Sequence, residues 1–194
     1  MKFKSLHEKA RFLDDSIDEY IKAEGTSFVP TRKLQEIVVA AFPGAVMVDF
    51  GLHKLVFHLR YQSHDLALKV GKQQAVERDH TAYRQLPSSL RNVYFARMFW
   101  HTKYSLLQEY GVEAEVTRQQ LLQLRALARR YGLLDITCDN VRVVNGNLKI
   151  IDAGISPPGL FGLWKTADII ARKLPAPVSR LIRKSRLIAT VRQR

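Results

Sequence analysis

Leu134-Asp135-Ile136-Thr137-Cys138-Asp139-Asn140, followed by Leu148-Lys149-Ile150-Ile151-Asp152-Ala153-Gly154, organises the reading of this chain. An Asp is followed by an Asn five residues later and by a second Asp twelve beyond that. Between them Val141-Arg142-Val143-Val144 and Leu148-Lys149-Ile150-Ile151 are two apolar strands, joined through Asn145-Gly146. Asn-Gly supplies the two positive φ angles of a tight hairpin turn. Two carboxylates and an amide are therefore carried on a loop and at the end of a hairpin. The plain alternative for such Asp and Asn residues is turn formation, and Asp139 is read that way.

Upstream, the pattern is that of strands. Segments 45–50, 54–61 and 65–70 are β-branched or aromatic runs broken at Gly51-Leu52-His53 and Gln62-Ser63-His64, which predicts a three-stranded antiparallel meander. Its third strand, Leu66-Ala67-Leu68-Lys69-Val70, holds one Lys in an apolar run. A helix is expected over 73–86, stopped by Pro87, and a strand pair over 93–101 and 104–110. The second of these strands runs through Leu106-Leu107-Gln108-Glu109-Tyr110-Gly111 into a polar turn. Thr117 and Gln120 have capping-box spacing and open a helix through Leu121, Leu124, Leu127 and Ala128 that ends near Gly132.

Two helices precede the strands. Ser5 and Glu8 have capping-box spacing, and Leu6, Ala10, Leu13, Ile17 and Ile21 recur at helical intervals up to a stop at Gly25. Thr31 is placed to cap a second helix through Leu34, Ile37, Val38 and Ala41, closed by Pro43-Gly44.

Composition narrows the class. The 194 residues, 46% hydrophobic and 25% charged, suit one compact domain or two small lobes. No apolar run reaches membrane-spanning length, and the N-terminus lacks an apolar signal core. With the single cysteine Cys138 there is no internal disulfide and no cysteine cluster for zinc. A cytoplasmic address is the default expectation. The formal net charge is +13, and the excess is concentrated late. Residues 164–194 hold nine Lys or Arg against one acid, Asp168, in two amphipathic helical patterns split by Pro175-Ala176-Pro177. Such a basic segment suggests a polyanion: RNA, an anionic membrane or an acidic protein. A solvated basic face is the bland alternative.

The order of a strand Lys, a helix with Glu, two strands, a helix, an Asp/Asn loop, a hairpin and Asp-x-Gly resembles the protein-kinase-like superfamily over 45–154. The resemblance implies a two-lobed α+β fold: N-terminal helices over 1–44, an antiparallel N-lobe sheet over 45–110, and a reduced, mostly helical C-lobe with a basic tail over 111–194. It implies an enzyme using ATP and magnesium to phosphorylate a protein hydroxyl or a small-molecule acceptor. Lys69 would contact the α- and β-phosphates and Glu77 would pair with Lys69, Asp79 and His80 on the same helix being less well aligned. Gly51 is what remains of the phosphate loop, with His53 or Lys54 as substitutes for the missing glycines. Backbone groups near Gln108, Glu109 and Tyr110 would meet adenine. Asp135 would act on the acceptor hydroxyl, while Asn140 and Asp152 would bind magnesium.

Three departures qualify the resemblance. Leu133-Leu134 stands where many kinases have His-Arg, Ala153 replaces the Phe of Asp-Phe-Gly, and Thr137 stands where Ser/Thr kinases carry Lys. The Asp-Ile-Thr-Cys-Asp-Asn loop is similar to those of RIO kinases and of the small KEOPS-complex kinase. Aminoglycoside-phosphotransferase-like and lipopolysaccharide-type kinases share the same core. The sparse glycine loop, Leu133-Leu134 and Ala153 also fit a pseudokinase that binds partners without catalysis.

Overall fold

The computed structural model describes residues 3–51 and 53–155, so the two tail helices and the basic segment expected over 164–194 lie outside the described residues. Among those described, the chain is α+β, with five α-helices and a five-stranded antiparallel sheet. No helix among them is long and apolar enough to cross a membrane.

The expected meander forms as β1 (Val46–Phe50), β2 (Lys54–Tyr61) and β3 (His64–Gly71). It continues through β5 (Ser105–Glu109) to an edge strand β4 (Met98–His101), in the order β1-β2-β3-β5-β4. Alternation in β2 shows how the sheet is used. Leu55, Phe57 and Leu59 are buried, while Lys54, Val56 and His58 between them are half-buried. The buried set packs with Leu6, Ala10, Leu13 and Ile17 of α1 (Lys4–Glu24) and with Leu34 and Val38 of α2 (Thr31–Ala41). Truncating a residue such as Phe57, which has no exposed surface, costs about 3–5 kcal/mol in such a core. The other face carries Lys54, Val56 and Lys69, since Val56 is the register partner of Lys69.

A second core gathers Ala82 from α3 (Gln73–Gln85) and Leu86 just after it with Leu121, Leu124 and Ala128 from α5 (Arg118–Arg130). Leu133, Val141 and Ile150 complete it, from β6 (Leu133–Leu134), β7 (Val141–Val144) and β8 (Asn147–Ile150). The Thr117–Gln120 capping box is formed, with Gln120 N donating to Thr117 Oγ1 at 3.3 Å and Thr117 N donating to Gln120 Oε1 at 2.9 Å. Asn145 and Gly146 adopt φ of 50° and 77°, so the hairpin turn is left-handed at both central residues.

Several local expectations fail for identifiable reasons. Residues 93–101 are not one strand: α4 (Ser88–Tyr94) occupies the first part, because Pro87 both stops α3 and starts a new turn, its carbonyl accepting from Leu90 N and Arg91 N. The Ser5 capping box does not form. Helix α1 begins at Lys4 after a left-handed Phe3, and Ser5 Oγ bonds the Tyr61 hydroxyl at 2.8 Å instead. Thr31 is the first residue of α2 rather than its cap; Pro30 holds the cap position. The expected mostly helical character after residue 110 is not seen in 111–155. That stretch has one α-helix, a 3-10 turn at Cys138–Asn140, and four short strands, the last being β9 (Gly154–Ile155).

Candidate active site

Lys69 is 3% exposed on β3. Lys69 Nζ donates to the Ile151 carbonyl at 2.7 Å and lies 3.6 Å from Asp79 Oδ2 and 3.9 Å from Asp152 Oδ2. A second ammonium joins it: Lys54 Nζ donates to Asp79 Oδ2 and, at 3.0 Å, to Asp152 Oδ2. Two cations and two carboxylates thus meet where β2, β3, α3 and the end of the hairpin come together. Burying any one of these charges without the others would be strongly unfavourable, so the cluster stands or falls as a unit.

The helix partner of Lys69 is Asp79, not Glu77. Glu77 is exposed and accepts from Gln73 Nε2 at 2.8 Å on its own helix. The reason is helical phase. The buried stripe of α3 is Ala75, Val76, Asp79 and Ala82, and two residues of offset rotate Glu77 away from it. That stripe of small and apolar residues around an acid was the signal available in the sequence.

The electrostatics follow from burial and charge. Burial raises the Asp79 carboxyl above its ordinary value, against the pull of Lys69 and Lys54. For Asp152 burial also acts upward, but the charges of Lys69 and Lys54 and the hydrogen bond from Lys54 outweigh it, and the carboxyl falls to about 2. Asp152, the more exposed of the two, is therefore the carboxyl whose ionised form is favoured beyond the ordinary.

The Asp/Asn loop reaches the same place through backbone pairing. Strands β6 and β9 are antiparallel with Leu134 opposite Gly154, so the residue after Leu134 lies beside the Asp-x-Gly turn. That residue, Asp135, is exposed and left-handed (φ 60°). Asp tolerates this conformation better than most residues, and such strain in a loop points to function. A methyl group on Gly154 would lie 3.3 Å from Asp135 Oδ2, so the glycine leaves room for the carboxylate. Asn140 Nδ2 donates to the Asp135 carbonyl at 2.7 Å, and the Asn140 carbonyl accepts from Ile151 N at 2.9 Å. Arg125 Nε, donating to the Ile136 carbonyl at 2.6 Å, braces the same loop from α5. Asp135, Asn140, Asp152 and Lys69 are thus tied into one hydrogen-bonded region.

Gln108, Tyr110 and Gly51 are used differently from expectation. Gln108 is 4% exposed, and its Nε2 donates to the Ile151 carbonyl at 3.3 Å, the same oxygen that Lys69 holds. Glu109 N donates to Arg97 O and Tyr110 N to Asp65 O, so both amides are already committed within the protein. The Tyr110 ring lies against His58, with centroids 4.3 Å apart. The chain then passes so close to the hairpin that a methyl on Gly111 would meet Arg142 Cβ at 2.5 Å and Val144 Cγ2 at 2.9 Å. Gly51 sits in the turn between β1 and β2, and its N–H donates to the Lys54 carbonyl at 2.8 Å. The glycine that this turn needs is Gly71, where a methyl would overlap the His53 carbonyl.

A cavity of about 10 Å³, room for one water, lies between Asp79, Gln108, Ile151 and Asp152. A larger groove of about 620 Å³ opens between Ile17, Ile21 and Leu34 on one wall and Gly51, His53 and Lys54 on the other. It borders the charged cluster only at Lys54. The cluster, rather than the larger groove, is taken as the site, because convergent charge carries chemistry and volume alone does not.

No set of three or more His, Cys, Asp or Glu among the described residues could hold a metal by itself. Magnesium, however, is commonly held by one or two protein oxygens together with phosphate oxygens. Ionised Asp152, with the Asn140 Oδ1 left free by the amide's bond to Asp135, fits that smaller donor set. Neither a protein-family profile nor a curated protein sequence matches this chain.

Proposed function

We propose that this chain is a small, atypical, cytoplasmic member of the protein-kinase-like superfamily, two-lobed, and that it moves the γ-phosphoryl group of ATP to a hydroxyl of a protein or small molecule. The observation that carries the reading is the approach of buried Lys69 to Asp152 (3.9 Å), with Asp135 brought beside the same turn by the Leu134–Gly154 pairing. Residues 83 apart in the chain would supply the phosphate-binding cation and the metal-binding anion of one cleft.

In this reading Lys69 orients the α- and β-phosphates, and Asp79 and the Ile151 carbonyl fix its ammonium. Asn140 and Asp152 would hold magnesium, whose chemistry there is neutralisation of phosphate charge. Asp135 accepts the proton of the attacking hydroxyl, and its exposure leaves it accessible to an acceptor. Catalysis is then positioning and electrostatics. The basic segment over 164–194 adds a polyanion contact, RNA, anionic membrane or acidic protein, testable as salt-dependent binding lost on its deletion.

The test is turnover of γ-labelled ATP with magnesium by wild type, Asp135→Asn and Asp152→Asn. Wild type should release or transfer label. Asp135→Asn should bind ATP within a few-fold of wild type but turn over at least ~100-fold more slowly. A wild-type protein that neither binds nor turns over ATP removes the reading. A non-catalytic binding module is the second reading. In its favour, Lys54 covers Asp152 Oδ2 at 3.0 Å. ATP binding with no turnover would select it.

A further inference from the structure

Lys54 shares the Asp79 Oδ2 oxygen with Lys69, and it is the closer of the two lysines to Asp152 (3.0 Å against 3.9 Å). Its side chain is 12% exposed, and that of Asp152 is 31% exposed, so their pair is open to solvent on the carboxylate side. Register places Lys54 on the same face of the sheet as Lys69: Val56 is opposite Lys69 and Lys54 is two residues from Val56.

Two amides of the turn that precedes Lys54 are already committed. Phosphate loops work by pointing several free amides at the anion. Here Phe50 N donates to Asp49 Oδ1 at 2.8 Å and Gly51 N donates to the Lys54 carbonyl at 2.8 Å. These amides are spent inside the protein. What the turn does present next to Asp152 is an ammonium on a four-carbon stem, a mobile point charge well suited to phosphate.

We propose that Lys54 is a second phosphate-binding lysine, taking the place of a glycine-rich loop, and that its ion pair with Asp152 is the nucleotide-free position from which phosphate draws it. The inference rests on the phosphotransferase reading and deepens it. With nucleotide bound, Lys54 moves onto phosphate oxygens, and Asp152 Oδ2 is uncovered. No covalent bond changes in this step; the contacts of Lys54 with Asp152 and Asp79 are exchanged for contacts with phosphate. Asp79 retains Lys69 throughout.

Calorimetric titration of the full chain with ATP and magnesium, and separately with adenosine, tests this in wild type, Lys54→Gln and Lys54→Arg. Loss of one charge-assisted contact should weaken ATP about 10- to 100-fold in Lys54→Gln. Adenosine, which has no phosphate, should bind within about twofold of wild type, and Lys54→Arg should keep ATP within about threefold. A Lys54→Gln protein that binds ATP as tightly as wild type overturns the proposal and leaves the phosphotransferase reading standing. Absence of ATP binding by wild type removes both. If Lys54→Gln loses adenosine as well, the whole pocket has been damaged and Lys54→Arg decides: ATP retained within about threefold supports the proposal, and loss equal to that of Lys54→Gln overturns it.

Discussion

The Lys69 ammonium lies 3.6 Å from the Asp79 carboxylate, while Glu77, one half-turn earlier on the same helix, is exposed and bonded to Gln73. The acid that matters is therefore the one on the buried stripe of α3. Asp79→Asn removes a charge facing two buried ammonium groups and should destabilise the protein by about 3 kcal/mol. Glu77→Gln should stay within about 0.5 kcal/mol of wild type, as surface substitutions do. Urea titration of the two variants compares them directly. Equal destabilisation by both would contradict the assignment.

Gly71 and Gly51 invite the opposite ranking from the one that a phosphate-loop reading gives. A methyl at Gly71 would overlap the His53 carbonyl and come within 2.8 Å of Lys54 Cα, both backbone positions that cannot swing aside. At Gly51 the nearest atom is 3.8 Å away, an ordinary contact. Gly71→Ala should cost about 1–3 kcal/mol, whereas Gly51→Ala should be close to neutral. Thermal melts of the pair suffice, and a Gly51→Ala loss exceeding that of Gly71→Ala would refute the packing argument.

These two cases show where the sequence was readable. The β2 alternation, the Thr117–Gln120 box and the Asn145-Gly146 turn are local: each is specified by residues within a few positions and each is present. The grouping of Lys69, Asp135, Asn140 and Asp152 was readable from their order along the chain. Asp79 was only partly readable: the stripe Ala75, Val76, Asp79 and Ala82 marks the inward side of α3, but that this side faces Lys69 depends on the packing of a helix on a sheet. Gly71 was not, because its need for a missing side chain comes from the His53 carbonyl, 18 residues earlier. Helix α4 was hidden because Val93 and Tyr94 have strand preferences that a turn started at Pro87 overrides.

Asp14 belongs to the same class of non-local residue. It sits on the buried face of α1 beside Leu13 and Ile17, and it ends the β4–β5 turn's search for acceptors. Its carboxylate accepts from Thr102 Oγ1 at 3.0 Å, Lys103 N at 2.9 Å and Tyr104 N at 3.1 Å. The N-terminal helices are thereby fastened to the sheet by polar contacts as well as by the apolar core. Asp14→Ala would leave two backbone donors without their acceptor, while the Thr102 hydroxyl keeps Ser105, at a cost of about 2–4 kcal/mol. Hydrogen exchange should show faster exchange at Lys103 and Tyr104. Unchanged protection at both amides would count against the anchor.

His80 on α3 and His101 on β4 are stacked, with ring centroids 3.8 Å apart and planes 19° from parallel. Burial lowers the affinity of each ring for a proton below the ordinary value of 6.5. The neighbouring charges mostly act the same way: His101, Arg84 and Arg91 on His80, and His7 on His101, with Glu77 alone opposing at His101. A group whose folded affinity is depressed binds its proton more readily when unfolded. Stability is thus independent of these rings above about pH 6.5 and falls as pH drops below it toward the folded values. Wild type should therefore melt at a lower temperature at pH 5.5 than at pH 7.5. His101→Phe keeps a ring in the stack and removes one titrating group and its repulsion of His80, so its melting temperature should fall less over the same interval. Carboxylates that titrate in this range are common to both proteins and cancel in the comparison. An equal fall in wild type and His101→Phe would mean that the stacked pair is not what couples α3 to the sheet's edge strand through pH.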